Sequence, residues 1–228
     1  MKTDPVPWLL QLYKLSMQKV KKFLLVDDHD IIRGGLEASI RLIYPNCKVD
    51  QAKEGNKVLG MLKKSAYDLL ILDVHLPDAN VIILLGQIRK AYPALKVLIF
   101  SMTDESTYGL RLMRLGANGF VSKSAPTAQL DDAIRDILAG KKYYSPSLME
   151  RLSSEFGGVS TNPFDKLSPK EFEVCVRLLR VEAPAAISHE LGLALSTIAT
   201  HKARLFKKLN VTNAVQLTDL AKMYGTSW

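Results

Sequence analysis

From Lys22 to Gly140 the chain alternates short apolar runs with amphipathic stretches, and this rhythm restricts the fold more than any single residue does. KFLLV (Lys22–Val26), DLLIL (Asp68–Leu72) and KVLIF (Lys96–Phe100) are too short for helices. Polar or turn residues bound each of them, as expected of strands buried on both faces. KVDQA (Lys48–Ala52) and GFVS (Gly119–Ser122) are weaker strand candidates. Between them, Ile31–Tyr44 places Ile32, Leu36, Ile40 and Ile43 three and four residues apart, an apolar helical stripe. Asn56–Lys64, Val81–Ala91, Ser106–Leu115 and Thr127–Ala139 read as helices in the same way, and Tyr92-Pro93 closes one of them. Five βα units in succession predict an α/β doubly wound, five-stranded parallel sheet, whose ligands sit at the carboxyl ends of the strands.

After Gly140 the pattern changes. Residues 141–165 are rich in serine, proline and glycine and read as a linker. Residues 166–228 read as helices only: Pro169–Arg180 with Ser168 as N-cap, then Pro184–Leu191, Ser196–Lys208 and Asn213–Tyr224. The expected organisation is an N-terminal extension (1–20), an α/β domain (21–140), the linker and an all-α domain. The extension does not read as a signal peptide, and Trp8 to Val20 could form a short helix. No run is long enough for a membrane span, so no membrane partner is expected. Cys47 and Cys175 lie apart in apolar stretches without metal-ligand spacing, so two buried thiols in a reducing cytoplasm are expected. The net charge of +8 suits nucleic acid, although charge alone does not select it.

The chemistry concentrates at strand ends. Asp27 and Asp28 follow the first strand, Asp73 the third, Ser101 ends the fourth, and Lys123 follows the fifth. In a parallel sheet all five fall on one edge. Three converging carboxylates repel one another unless a cation lies between them, and Mg²⁺ suits such oxygen ligands. An aspartate can be the nucleophile that becomes an acyl phosphate. A hydroxyl and an ammonium then position and neutralise the phosphoryl oxygens. Taken singly, Asp28 could as well cap the first helix, and a lone lysine is usually a solvated charge.

VDDHDIIRGGL, LLILDVHLPD, VLIFSM and GANGFVSKSA together resemble the receiver domains of NarL/FixJ-type response regulators, over about 120 residues in order and spacing. The resemblance implies a flavodoxin-like receiver with Asp73 as phosphoacceptor. Asp27, Asp28, Asp73 and the backbone carbonyl of His75 would hold Mg²⁺. Ser101 and Lys123 would take the switch and phosphate-pairing roles, and Phe120 the switch aromatic position. Val81 departs from the family's usual glycine in the loop after the acceptor.

Ser196–Lys208 carries Lys202, Arg204, Lys207 and Lys208 and no acid, while Thr197, Ile198, Leu205 and Leu209 are placed for a core. Following a short helix and a Gly192 turn, it has the order of a recognition helix that enters a major groove. A solvated basic face is the plain alternative. LSPKEFEVCVRLL and TIATHKARLFKKLNVTN resemble the LuxR-type helix-turn-helix, well over Leu167–Leu179 and Thr197–Asn213 and poorly between. By that resemblance Ser196, Thr197, Thr200, His201, Lys202, Arg204 and Lys208 are candidate DNA-facing residues, Lys202 and Lys208 as phosphate contacts. Val181 replaces a turn glycine, Ala183 and Ala194 replace capping Ser or Thr, and Ser196 replaces a commonly basic residue. Each lost cap costs about 0.5–2 kcal/mol.

The function expected is a two-component response regulator that accepts a phosphoryl group from a sensor histidine kinase and binds double-stranded DNA, as a homodimer when active. It would not be an enzyme beyond autophosphorylation and autodephosphorylation. Val215, Leu217, Leu220, Ala221 and Tyr224 could form part of a dimer seam or an intramolecular core. Two other classes stay open. One is a Mg²⁺-dependent phosphatase, for which Asp78 is the only nearby second acid. The other is an interaction regulator whose helix-turn-helix no longer binds DNA.

Overall fold

The computed structural model describes residues 20–102, 105–146, 148–150 and 162–224. The five parallel strands are β1 (Lys22–Val26), β2 (Lys48–Ala52), β3 (Leu69–Leu72), β6 (Lys96–Ser101) and β7 (Gly119–Ser122), in the order β2-β1-β3-β6-β7. The order reverses at β1, so a crevice opens beyond the carboxyl ends of β1 and β3. Register aligns Val26 with Leu72 and Leu72 with Ile99, which brings the residues that follow these strands to one level.

Alternation along the strands sends side chains to opposite faces. Phe23, Leu25, Ile71 and Leu98 pack against Leu36 and Ile40 of α1 (Asp30–Ile43) and Ile134 and Ile137 of α5 (Thr127–Leu138). On the other face Leu24, Leu70, Leu72 and Ile99 meet α2 (Val58–Lys64), α3 (Val81–Ala91) and α4 (Glu105–Arg114) through Val58, Leu85, Ile88 and Leu112. The helices expected from periodicity are present with ends shifted by a residue or two, and α2 is preceded by a 3-10 turn at Gly55–Lys57. A hairpin of β4 (His75–Leu76) and β5 (Ala79–Asn80) was not legible in the sequence, because two-residue strands carry no periodicity. Val81 heads α3 and is buried in the core, so here the branched side chain does packing work.

Some residues of the expected linker pack against the domains on either side. Tyr143 bridges to Gly119 of β7, and Leu148 packs with Leu110 and Met113 of α4, so these residues belong to the α/β domain. At the other end, the 3-10 turn Pro163–Lys166 buries Phe164 in the helical core. The helical extension expected over Trp8 to Val20 falls almost wholly outside the described residues.

The C-terminal domain comprises α6 (Pro169–Leu179), α7 (Pro184–Leu191), α8 (Leu195–Leu209) and α9 (Ala214–Met223). Ser168 caps α6 by accepting from Glu171 N, and Glu171 accepts from Ser168 N, a capping box. Gly192 ends α7 at φ +60, which sets the turn into α8. Leu217 and Ala221 of α9 are buried, which favours the core reading for these two, whereas Val215 is exposed. Cys47 and Cys175 are both buried free thiols. Among the described residues no helix is long and apolar enough to cross a membrane.

Candidate functional site

The strand register places Asp27, Asp28, Asp73, Ser101 and Lys123 together beyond the carboxyl edge of the sheet, as the strand-end reasoning required. One carboxylate oxygen each from Asp27, Asp28 and Asp73, with a ring nitrogen of His29, lie within 4.8 Å of one another. Asp27 and Asp73 are 2 and 3 % exposed. Lys123 reaches back from the end of β7 and sets its ammonium 2.6 Å from both Asp27 Oδ2 and Asp73 Oδ2. Burial works to lower the Lys123 ammonium, but the contacts with the Asp27 and Asp73 carboxylates hold it above the usual lysine value. Asp73 Oδ1 accepts from Val74 N at 2.6 Å, which fixes one oxygen of the carboxylate.

The residues present fit a hard cation. Asp27 Oδ2 and Asp28 Oδ1 are buried yet lie outside regular hydrogen-bond geometry, so each keeps coordinating capacity beside its ion-pair partner. Asp28 does not cap α1: the N-cap position is His29, which makes no side-chain cap. Ser101 is fully buried at the end of β6, and Phe120 lies inward in the core at 4 % exposure. Asp78, the acid a phosphatase would need, accepts from Gly55 N and Asn56 N at 2.8 and 2.9 Å and so is committed to a turn.

His75 stands on the hairpin after Asp73. Burial, followed by the Arg180 charge, holds its imidazole below the usual value. Arg180 belongs to the C-terminal domain, and sequence reasoning missed it, since no spacing rule links positions 75 and 180. The docked interface also places Tyr108 edge-on to Phe172 with centroids 5.4 Å apart, and Arg111 over the same ring at 4.6 Å. Asn80 donates to Glu173 at 2.7 Å, and Arg114 pairs with Asp165 at 2.6 Å.

On α8, Ile198, Leu205 and Leu209 are buried as expected, and Ser196, Thr200, Arg204, Lys207 and Lys208 are exposed. Thr197, His201 and Lys202 are half-buried. Thr200 Oγ1 donates to Ser196 O at 2.9 Å, and Lys202 Nζ lies 5.4 Å from the centre of the Phe206 ring. Lys208 donates to Glu171 Oε2 at 2.6 Å, so this residue also holds α8 to α6. Burial works to raise the Glu171 carboxyl, but Lys208 and the Ser168 cap hold it below the usual carboxylate range. A carboxylate depressed in the folded state stabilises above its unfolded value near 4.5, and that contribution is lost as pH falls through the folded value. Glu171→Gln is therefore expected to flatten the acid limb of the stability–pH curve. A wild-type slope retained below about pH 4.5 in urea titrations would contradict this.

Residues 23–135 match the response regulator receiver domain, and residues 165–221 match the bacterial regulatory proteins of the luxR family. Response regulator GacA of Pseudomonas syringae pv. syringae is 31% identical over 206 residues, covering 90% of this chain and 96% of that protein. Oxygen regulatory protein NreC of Staphylococcus carnosus is 29% identical, covering 88% of this chain and 96% of that protein. Among solved structures, RcsB from Salmonella enterica serovar Typhimurium, bound to promoter rprA with phosphomimetic BeF3-, superposes with a TM-score of 0.62 at 23% identity. That match covers 89% of this chain and 98% of the RcsB chain and shows the fold. With a strand-end acidic cluster in the first domain, a LuxR-type helix-turn-helix in the second and a relative matched over nearly its whole length, the chain belongs to the NarL/FixJ-type response regulators.

Proposed function

We propose that this protein is a phosphorylation-controlled, DNA-binding transcription regulator that takes its phosphoryl group on Asp73. The observation that carries the reading is Lys123 bridging Asp27 and Asp73 inside a cluster that Asp28 completes. Asp27, Asp28, Asp73 and the backbone carbonyl of His75 would hold Mg²⁺, which neutralises charge on the incoming phosphoryl oxygens. Asp73 would supply the attacking oxygen, its carboxylate fixed by the bond that Oδ1 accepts from Val74 N. Lys123, at Asp73 Oδ2, would pair with a phosphoryl oxygen and Ser101 would donate to another, with Phe120 as the aromatic that answers the change. The donor would be a sensor histidine kinase, and the setting the cytoplasm. Asp78 is turned to the backbone of a turn, which favours a stoichiometric phosphoacceptor over a turnover phosphatase.

Incubation with acetyl phosphate and Mg²⁺ is expected to add one phosphoryl mass per chain, blocked by EDTA. An unmodified, folded protein would overturn this reading.

The exposed basic face of α8 supports double-stranded DNA as the ligand, bound by a homodimer across two half-sites. Phosphate contacts release counterions, so affinity falls with salt. Lys202→Ala is expected to weaken binding for all sequences and to lower the log–log salt slope by about 1. Lys208→Ala should do likewise but also destabilise the domain, because its removal leaves buried Glu171 unpaired. Unchanged binding in both variants would argue against these contact roles, and absence of salt-dependent binding to duplex DNA by the wild type would favour the interaction-regulator alternative.

A further inference from the structure

Between the domains lies a cleft of about 240 Å³ that Asp28, His75 and Val81 line from the receiver, and Val176 and Arg177 from the last turn of α6 with Arg180 just past its end. It opens directly from the acidic cluster, since Asp28 contributes to both and its carboxylate lies within 4.8 Å of that of Asp73. The two arginines differ. Arg177 is ion-paired with Glu182 at 3.0 Å and with Glu190. Arg180 faces the receiver instead, with Nη2 3.4 Å from His75 Nε2, and among the described residues no carboxylate lies in ion-pair range of it.

Arg180 is exposed, and the domains are held elsewhere by the Tyr108–Phe172–Arg111 stack and the Asn80–Glu173 and Arg114–Asp165 pairs. Its position therefore is not accounted for by packing. A guanidinium offers a planar fork of donors that suits phosphoryl oxygens. Lys123, the cation already in the cluster, bridges Asp27 and Asp73 and on the phosphoacceptor reading meets one phosphoryl oxygen, which leaves others for a second cation.

We propose that Arg180 is a phosphoryl-binding residue supplied by the DNA-binding domain: once Asp73 is phosphorylated, the guanidinium pairs with the acyl phosphate across the cleft and tightens the docked arrangement. Ser196, Thr200 and Arg204 are exposed while the domains are docked, so tightening leaves this face of the recognition helix open. The phosphoryl group thus acts as a latch between domains, and it also loses access to water on that side.

The inference rests on Asp73 being the phosphoacceptor, and the test separates the two. Wild type, Arg180→Ala and Arg180→Lys are treated with acetyl phosphate and Mg²⁺. Adduct is followed by intact mass, and amide hydrogen exchange is followed over residues 75–80 and 172–180. Phosphorylation is expected to slow exchange in these segments of the wild type by roughly two- to fivefold, the range of a single exposed ion pair. Arg180→Ala should still be phosphorylated but show no slowing, and its phosphoryl half-life should shorten by a similar factor. Arg180→Lys, which keeps the charge and loses the fork, should fall between. An adduct on all three proteins with exchange unchanged or faster in the wild type overturns the latch alone, as does a wild-type response in Arg180→Ala. Absence of any adduct overturns the latch and the phosphoacceptor reading together.

Discussion

Asp73→Asn is expected to abolish the phosphoryl adduct completely and to leave the protein folded. The loss follows from chemistry: a carboxamide oxygen carries no charge and is a poor nucleophile, so no acyl phosphate forms. Retention of the fold follows from the neighbours. An asparagine Oδ1 can still accept from Val74 N, and Lys123 keeps Asp27 as a partner 2.6 Å away. Removing one partner of a buried ion pair ordinarily costs about 3–5 kcal/mol because the other charge is stranded. Here the lysine is not stranded, and one of three mutually repelling carboxylates is gone. The unfolding free energy in metal-free buffer should therefore change by less than about 2 kcal/mol. Added Mg²⁺ should raise the unfolding temperature of the wild type more than that of Asp73→Asn, since a cation that binds only the folded state stabilises by mass action. Intact mass and thermal unfolding, each with and without Mg²⁺, check the three statements. A persistent adduct on Asp73→Asn would move the acceptor to another residue. A collapse in stability would show that Asp73 is needed to keep Lys123 buried.

The receiver was legible because its information is local and periodic. Apolar runs such as Leu69–Leu72 declare a strand, a polar residue after each run declares the sheet edge, and topology then gathers Asp27, Asp73 and Lys123. What stayed hidden was long-range or aperiodic. The hairpin of two-residue strands His75–Leu76 and Ala79–Asn80 has no pattern to detect, and the Asp78 carboxylate facing Gly55 and Asn56 is a contact between residues 23 and 22 apart. The cleft that joins His75 to Arg180 exists only once two domains dock. In the C-terminal domain, family resemblance marked Lys208 as a DNA contact, whereas the structure also ties it to Glu171. A sequence shows that a cation is present, but not whether a buried carboxylate already holds it.

The helix-turn-helix is expected to gain stability from three substitutions that restore local geometry. Val181 has φ +61 and is 90 % exposed, so a β-branched side chain occupies left-handed backbone with no packing in return. That conformation costs an L-residue roughly 1–2 kcal/mol, and glycine adopts it freely. Val181→Gly recovers most of this, less about 0.5–1 kcal/mol from the greater freedom of glycine in the unfolded chain. Ala183 and Ala194 sit at the N-caps of α7 and α8 with extended backbone, the geometry from which a hydroxyl accepts an amide of the first turn, and neither makes a cap bond. Ala183→Ser and Ala194→Ser should each add about 0.5–2 kcal/mol. Ala194 lies on the far side of α7 from Val181, so its gain should add to that of Val181→Gly, whereas Ala183 is close enough in sequence to couple with it. The combined variant is expected to be more stable by about 2–4 kcal/mol in urea unfolding, with the slope on denaturant unchanged. If Val181→Gly alone proves neutral or destabilising, the turn between α6 and α7 has a different backbone in solution. If the caps act and the glycine does not, the departures of this motif from its family lie in the helix starts alone.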